Sequence, residues 1–231
     1  MFKQKYVLRA VCLFIAGFVV FGCASTQPEL SPDSDSLRSI ETGRIVGASG
    51  RHGGHQWLGV PYAEPPVGDL RWSAPKPPES WSDTFTATEH GSPCPQLASR
   101  LGGVRTAPEG NPVGSEDCLY LDVYAPEFSS EEVPQGSKKL PVMVWFHGGG
   151  NVIGHTGLYD ASRIASEQNV IVVAVQYRLG PLGWFRHPAL RDSGVSPAEQ
   201  SGNFALLDLI RSLEWVRSNA ASFGGNPDNV T

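Results

Sequence analysis

Two dense runs of apolar, β-branched residues mark the second half of the chain: "LPVMVWFHG" from Leu140 and "NVIVVAVQYR" from Asn169. Neither alternates cleanly with polar residues. That pattern predicts strands covered on both faces, in a central, mostly parallel sheet. Between them, "YDASRIASEQ" reads as a helix with Asp160 in position to cap it. After them, Phe204, Leu207, Ile210, Leu213 and Val216 recur at helical spacing and predict a helix with one apolar face. Asn203 can cap its start, and Gly224 and Gly225 can close its end. Earlier, "GRIVGAS" and "HQWLGVPYA" read as short strands in a hairpin. "LYLDVYAP" alternates like a strand, and "PPVGDLRWSAPKPPESWSD" is proline-rich and irregular. Strand, helix, strand, helix is the order of an α/β fold. There is no internal repeat, and "NPDNVT" opens a further strand.

The N-terminus has a different texture. Lys3, Lys5 and Arg9 precede an apolar stretch, Val11 to Gly22, that is short for a bilayer span and reads as an export signal. It ends in "VFGC", which resembles a bacterial lipoprotein cleavage box despite Phe21; a plain secretory signal with a chance cysteine is the alternative. Cys23 would then be the acylated first residue, and Ala24 and Ser25 behind it favour retention at the outer membrane over the inner one. Several acyl chains would hold the protein stably, at about 0.8 kcal/mol per buried CH₂. Residues 24–39 are rich in Ser, Pro and Asp and read as a flexible tether. This gives three parts: signal 1–22, anchor and tether 23–39, and one domain from 40 to 231.

Composition narrows the partners. Of 231 residues, 40% are apolar and 18% charged, an ordinary globular mixture. The formal charge is −5, with no Lys/Arg cluster past residue 10, which argues against nucleic acid. Of four cysteines, Cys12 leaves with the signal and Cys23 takes lipid. Cys94 and Cys118 remain, either as free buried thiols or, as an oxidising compartment favours, as a bridge. A bridge would close a loop of about 24 residues, worth roughly 3 kcal/mol in the chain-entropy model.

The chemistry centres on "VMVWFHGGGN", Val142 to Asn151. A buried strand runs straight into His147 and three glycines, Gly148, Gly149 and Gly150. Strand followed by His-Gly-Gly-Gly is the loop that contributes to the oxyanion hole of lipases and esterases. Attack on an ester carbonyl puts negative charge on its oxygen, and preset backbone N–H groups stabilise it without reorganising. Glycines leave that approach open. A Gly-rich turn after a buried strand is the plain alternative. A phosphate-cradling loop is disfavoured, since no G-x-x-x-x-G-K-[ST] pattern occurs.

Around this loop the chain resembles the type-B carboxylesterase family, the cholinesterase-like branch of the α/β-hydrolases. "EDCLYLDVYAP" (Glu116 to Pro126) is similar to that family's second signature and "LGVPYAEPPVGDLRW" (Leu58 to Trp72) to its N-terminal hallmark. "VQYRLGPLGW" and "GNFALLDLIRSLEWVRSNAASFGGNPDNVT" follow in the family's order. The resemblance implies an α/β-hydrolase fold, of which this chain supplies the N-terminal hairpin and the first strands and helices. It implies that Gly149 and Gly150 offer the oxyanion-binding N–H groups, with His147 and Gly148 in support. It also implies a Cys94–Cys118 disulfide and two buried structural ion pairs, Arg71 with Glu116 and Arg178 with Asp208. No metal or organic cofactor is implied; the partner is a small carboxylic ester.

Departures refine this. Asn151 stands where the family often has an aromatic, Gln176 where Asn is usual, and Leu209 where Gln is usual. Residues 95–117 contain no Trp, Tyr or Phe, so a choline ester would lack a cation–π partner there; a general carboxylesterase is the better fit. Acyl transfer also needs a serine in G-x-S-x-G, then an acid and a histidine. No such motif occurs in the sequence. "GVSPA" around Ser196 comes nearest but lacks its last glycine. His52 and His55 have no third metal ligand nearby and read as a solvated hairpin loop. His90, His155 and His187 read as loop or surface residues. The expectation is part of an exported, lipid-anchored ester hydrolase, inactive as it stands, with an uncovered apolar sheet edge and marginal folding. A non-catalytic surface lipoprotein on the same scaffold is the alternative.

Overall fold

The structure, a computed structural model, describes residues 30–190 and 196–231. The expected signal, Cys23 and the first part of the tether lie outside the described residues. The chain enters through a 3₁₀ turn (Ser34–Ser36) and β1 (Arg38–Ile40), then β2 (Gly43–Val46), β3 (Ala48–Ser49) and β4 (His55–Pro61). After an irregular stretch come β5 (Phe85–Thr86), β6 (Gln96–Leu97), β7 (Pro112–Val113) and β8 (Tyr120–Ala125). Next follow β9 (Leu140–Phe146), α1 (Ser162–Gln168), β10 (Ile171–Val175), α2 (Gly180–Gly183), α3 (Pro197–Gln200), α4 (Phe204–Asn219) and β11 (Gly225–Val230).

Six strands form the principal sheet, in the order β11-β9-β10-β8-β4-β3. β10 and β11 each run parallel to β9, whereas β10–β8, β8–β4 and β4–β3 are antiparallel. The sheet expected to be mostly parallel is therefore mixed over the described residues. The crossover through α1 and the chain through α4 impose parallel pairing on one half only; the hairpin-like N-terminal half needs no crossover. β1, β2 and β5 make a small second sheet, and β6 pairs with β7.

β10 is buried at every position and joins a core of Val123, Leu121, Trp57, Val173 and Val175. The helical layer docks through aromatics. Phe223 lies edge-on to Trp57 at 4.8 Å and 6.0 Å from Trp215 of α4. Such contacts add to the area that each ring removes from water. The indole of Trp57 donates to the Ser36 carbonyl at 2.9 Å, tying the entering segment to the core.

That segment differs from expectation. The tether read as extending to Ser39 is built into the fold from Asp33: Ser36 and Arg38 are buried, and Arg38 donates to the carbonyls of Asp35, Leu37 and Phe128. Three carbonyl acceptors and the face of Trp57, 5.1 Å away, make burial of that cation tolerable.

Helix α4 buries a different face from the one its apolar spacing predicts. Phe204 and Val216 are inside, but Ile210 and Leu213 are exposed together with Leu206. Asp208, Ser212 and Asn219 are buried instead, because each has a partner. Asp208 holds Arg178, Ser212 donates to the Leu209 carbonyl, and Asn219 donates to the Trp215 carbonyl and accepts from the Glu41 amide. Asn203 precedes the helix without a side-chain cap bond. In α1, the capping position falls on Ala161 rather than Asp160, but the Asp160 carboxylate still accepts from both the amide and the hydroxyl of Ser162.

The Arg178–Asp208 pair is the most consequential of these. Arg178 meets both carboxylate oxygens, at 2.9 and 2.7 Å, and its own amide meets one of them at 3.0 Å, all away from solvent. Removing one partner strands the other charge in the core. Asp208→Ala is expected to destabilise the fold by about 3–5 kcal/mol, measured from the urea midpoint, and by far more than Glu116→Ala on the half-exposed Arg71–Glu116 pair.

Candidate active site

β9 ends at Phe146, level with Val175 at the C-terminal end of its parallel neighbour β10. In open α/β sheets this is the edge at which ligands bind. The loop that follows, residues 147–154, is fixed at three points. At its start, the Tyr177 hydroxyl donates to the His147 carbonyl at 2.8 Å, and the two rings stack with centroids 4.7 Å apart. In its middle, the Gly180 amide donates to the Asn151 carbonyl at 2.7 Å. At its end, the side chain of Gln96 donates to the Gly154 carbonyl and accepts from the Gly154 amide, both at 2.8 Å.

The carbonyls inside the loop are also committed. The Gly148 carbonyl pairs with His147 Nδ1 at 2.9 Å, which places the proton on Nδ1 of a neutral ring. The Gly149 carbonyl accepts from the amides of Val152 and Ile153, both at 3.2 Å. A peptide unit is planar and trans, so its N–H points opposite to its C=O. Pinning the carbonyls of Gly148 and Gly149 therefore aims the amides of Gly149 and Gly150 the other way. Among the described residues these amides have no acceptor, and all three glycines are exposed. The arrangement can donate hydrogen bonds to an external anionic oxygen.

The glycines are needed for unequal reasons. Gly149 has φ +121°, and a β-carbon there would strike the Ile153 carbonyl. Gly150 has φ +64° in open space, and Gly148 faces open space without unusual φ. Fold geometry, more than ligand approach, dictates Gly149. Asn151 has φ +63°, a region that Asn tolerates better than a bulky aromatic.

The other expected residues fall as follows. Cys94 and Cys118 form a disulfide with Cα atoms 5.0 Å apart. Arg71 forks onto Glu116 with two bonds of 2.6 Å, but this pair, expected to be buried, is half-exposed, because it bridges two surface loops. Arg178 and Asp208 lie below α2, where they brace the chain leaving β10. Cys23 lies outside the described residues. Ser196 caps α3 in a capping box with Glu199, so its hydroxyl serves a helix end. Gln176 donates to the carbonyls of Gly91 and Ser92.

The histidines need correction. His55, expected in a solvated loop, is 2% exposed in β4, edge-on to Trp57 with Nε2 3.5 Å from Asp33. His90 is more than a surface residue. Its Nδ1 lies 2.8 Å from the wholly buried Asp122, whose other oxygen accepts from the Gly59 amide at 2.8 Å. It borders a cleft of about 540 Å³ that also includes Phe85, Glu89, Ser115 and Tyr120 but none of the loop 147–154. Among the described residues there is no group of three side chains able to hold a metal ion.

Three supporting residues carry little signal in the sequence. Tyr177 lies within "VQYRLGPLGW" with nothing to mark it, Gln96 is set apart only by standing two residues after Cys94, and Asp122 looks like any strand position.

The profile of the carboxylesterase family matches residues 34–231. The para-nitrobenzyl esterase of Bacillus subtilis (strain 168) is 44% identical over 195 residues, covering 84% of this chain and 36% of that protein. The human cocaine esterase is 41% identical over 206 residues, covering 84% of this chain and 34% of that protein. A solved PNB esterase superposes with a TM-score of 0.71 at 41% identity, over 85% of this chain and 37% of the other. The chain thus spans about a third of the length of the relatives it matches.

Burial lowers the pKa of His147, helped by His155, and burial likewise lowers that of His155, helped by His90. Burial also pulls on His90, but its bond to Asp122 and the charges of Asp122 and Asp160 outweigh it and raise its pKa. In an imidazole NMR titration, His147 and His155 are expected to have midpoints below about 6.5 and His90 above it; Asp122→Asn should bring His90 down. The depressed histidines, His147, His155 and also His55, subtract stability as pH falls below about 6.5, because the unfolded chain binds their protons first; His90 adds stability as pH falls through its raised pKa, a gain complete below about 6.5.

Proposed function

Because the chain belongs to the carboxylesterase family and has the α/β-hydrolase fold, we propose that it is the oxyanion-loop portion of a longer carboxylic ester hydrolase. The single observation that carries this reading is the pair of outward amides at Gly149 and Gly150, left open by the carbonyl bonds behind them. In the whole enzyme, a serine attacks the ester carbonyl and its oxygen becomes an anion. Gly149 and Gly150 donate to it, and the alcohol leaves as the acyl-serine forms; water then releases the acid. Each such donor is worth about 2.7–4 kcal/mol in comparable enzymes. The neutral His147 acts behind the loop, keeping its Nδ1 proton on the Gly148 carbonyl. No cofactor enters the scheme.

The nucleophile motif is missing from these 231 residues, so the acid, the base and the serine belong to the remaining length that the relatives have. The exposed stripe of Leu206, Ile210 and Leu213 on α4 supports further chain packing there. Substrates are small carboxylic esters of a general kind; residues 95–117 have no aromatic platform for a quaternary ammonium. The reading extends to export and to lipid attachment at Cys23, with the domain held off the outer membrane by a tether shorter than residues 23–39. The Cys94–Cys118 bridge supports an oxidising compartment.

Two outcomes are expected. The chain alone is expected to release no nitrophenol from a short-chain nitrophenyl ester above background, whereas the reading frame continued past Thr231 is expected to encode G-x-S-x-G and, once expressed, to hydrolyse it. A continued frame without that motif would remove the hydrolytic reading. In cells fed a tagged palmitate, the wild-type chain is expected to become labelled and Cys23→Ser to remain unlabelled.

A further inference from the structure

Gln96 is buried, and every polar atom of its side chain amide is used. Oε1 accepts from the Gly154 amide at 2.8 Å; Nε2 donates to the Gly154 carbonyl at 2.8 Å and to the Cys94 carbonyl at 3.0 Å. One side chain therefore satisfies both backbone groups of Gly154 and returns a third bond to the segment that the Cys94–Cys118 disulfide holds against β8. Gly154 itself has φ +123° and leaves no room for a β-carbon, which would meet the His147 ring and the Gly148 carbonyl. Those are the groups that set the peptide plane carrying the Gly149 amide.

These contacts form one continuous line: disulfide, Cys94 carbonyl, Gln96 amide, Gly154, then His147 and the Gly148 carbonyl. We propose that Gln96 is a positioning residue that transmits the Cys94–Cys118 tether to the glycine loop and holds the Gly149 and Gly150 amides in their outward setting. The functional meaning rests on the oxyanion reading above; the mechanical link does not. The other end of the loop is held independently by Tyr177, so loss of Gln96 releases the Gly154 end only.

The test is amide hydrogen exchange on the purified chain, read at Val152, Ile153 and Gly154, with the β10 peptide 171–175 as internal reference. Loss of the paired bonds in Gln96→Ala is expected to speed exchange at these three positions roughly tenfold or more, with β10 unchanged. Gln96→Glu keeps an acceptor for the Gly154 amide but cannot donate to either carbonyl; it is expected to fall between wild type and Gln96→Ala, and serves alone if the alanine variant does not fold. Reduction of the disulfide in the wild type is expected to loosen the same three amides. Unchanged exchange at 152–154 in a folded variant, or in the reduced chain, would overturn the proposal. So would an equal rise in β10, which would make Gln96 a general stability residue. Exchange needs no turnover, so an inactive chain would not count against the link, and an intact link would not rescue a failed oxyanion reading.

Discussion

An amide that is to receive charge from outside the protein must be kept from bonding inside it. On the oxyanion reading proposed above, this constraint organises the loop after β9. The protein satisfies it indirectly, through the carbonyl at the other side of each peptide plane: His147 takes the Gly148 oxygen, and Val152 and Ile153 take the Gly149 oxygen. What faces solvent is what remains. A free N–H would ordinarily seek the nearest acceptor, since an unmade hydrogen bond is costly wherever water is excluded. Here the glycines are exposed, so water can occupy the donors until something better arrives, and rigidity comes from behind.

The rigidity has its own requirements. The loop lies between segments distant in sequence, and each supplies a polar group that bonds to it. Tyr177 follows β10, Gly180 opens α2, and Gln96 belongs to the disulfide-held excursion. Arg178, between the first two, is in turn fixed by Asp208 of α4. A helix and a covalent link, both packed into the main core, thus converge on eight residues of loop. This explains why polar groups occupy the inner face of α4 while leucines look outward: that face is selected by the ion pair, not by apolar area alone.

How much of this could be read in the sequence follows the same division. The strands after Leu140 and Asn169, the helix from Phe204 and the glycine loop were legible, because burial on both faces and glycine runs leave strong local marks. The buried face of α4 was not, because periodicity counts Ile210 and Leu213 as inward and cannot know that Asp208 has an arginine waiting. His55 escapes for a similar reason: its face of the strand is covered by a segment, residues 33–38, whose composition resembles a linker. The half-exposed setting of Arg71 and Glu116 was equally out of reach, since charge and family position say that a pair exists but not how deep it lies. Gln96 and Tyr177 act across long sequence separations, and nothing near them in the chain announces it.

The excursion between the two cysteines has a further consequence. Its base is closed twice, by the disulfide and by the two-residue ladder in which Gln96 faces Val113 and Leu97 faces Pro112. Beyond that ladder the chain is mostly turns, and Leu101 at the tip is 85% exposed. Next to that tip, however, Gly102 is buried against the clasp: a β-carbon there would lie 3.1 Å from Gln96 Oε1 and 3.2 Å from the Gly154 amide. The outermost residues of the excursion are thus free to vary, whereas the position beside Leu101 has to stay small to leave Gln96 and Gly154 undisturbed.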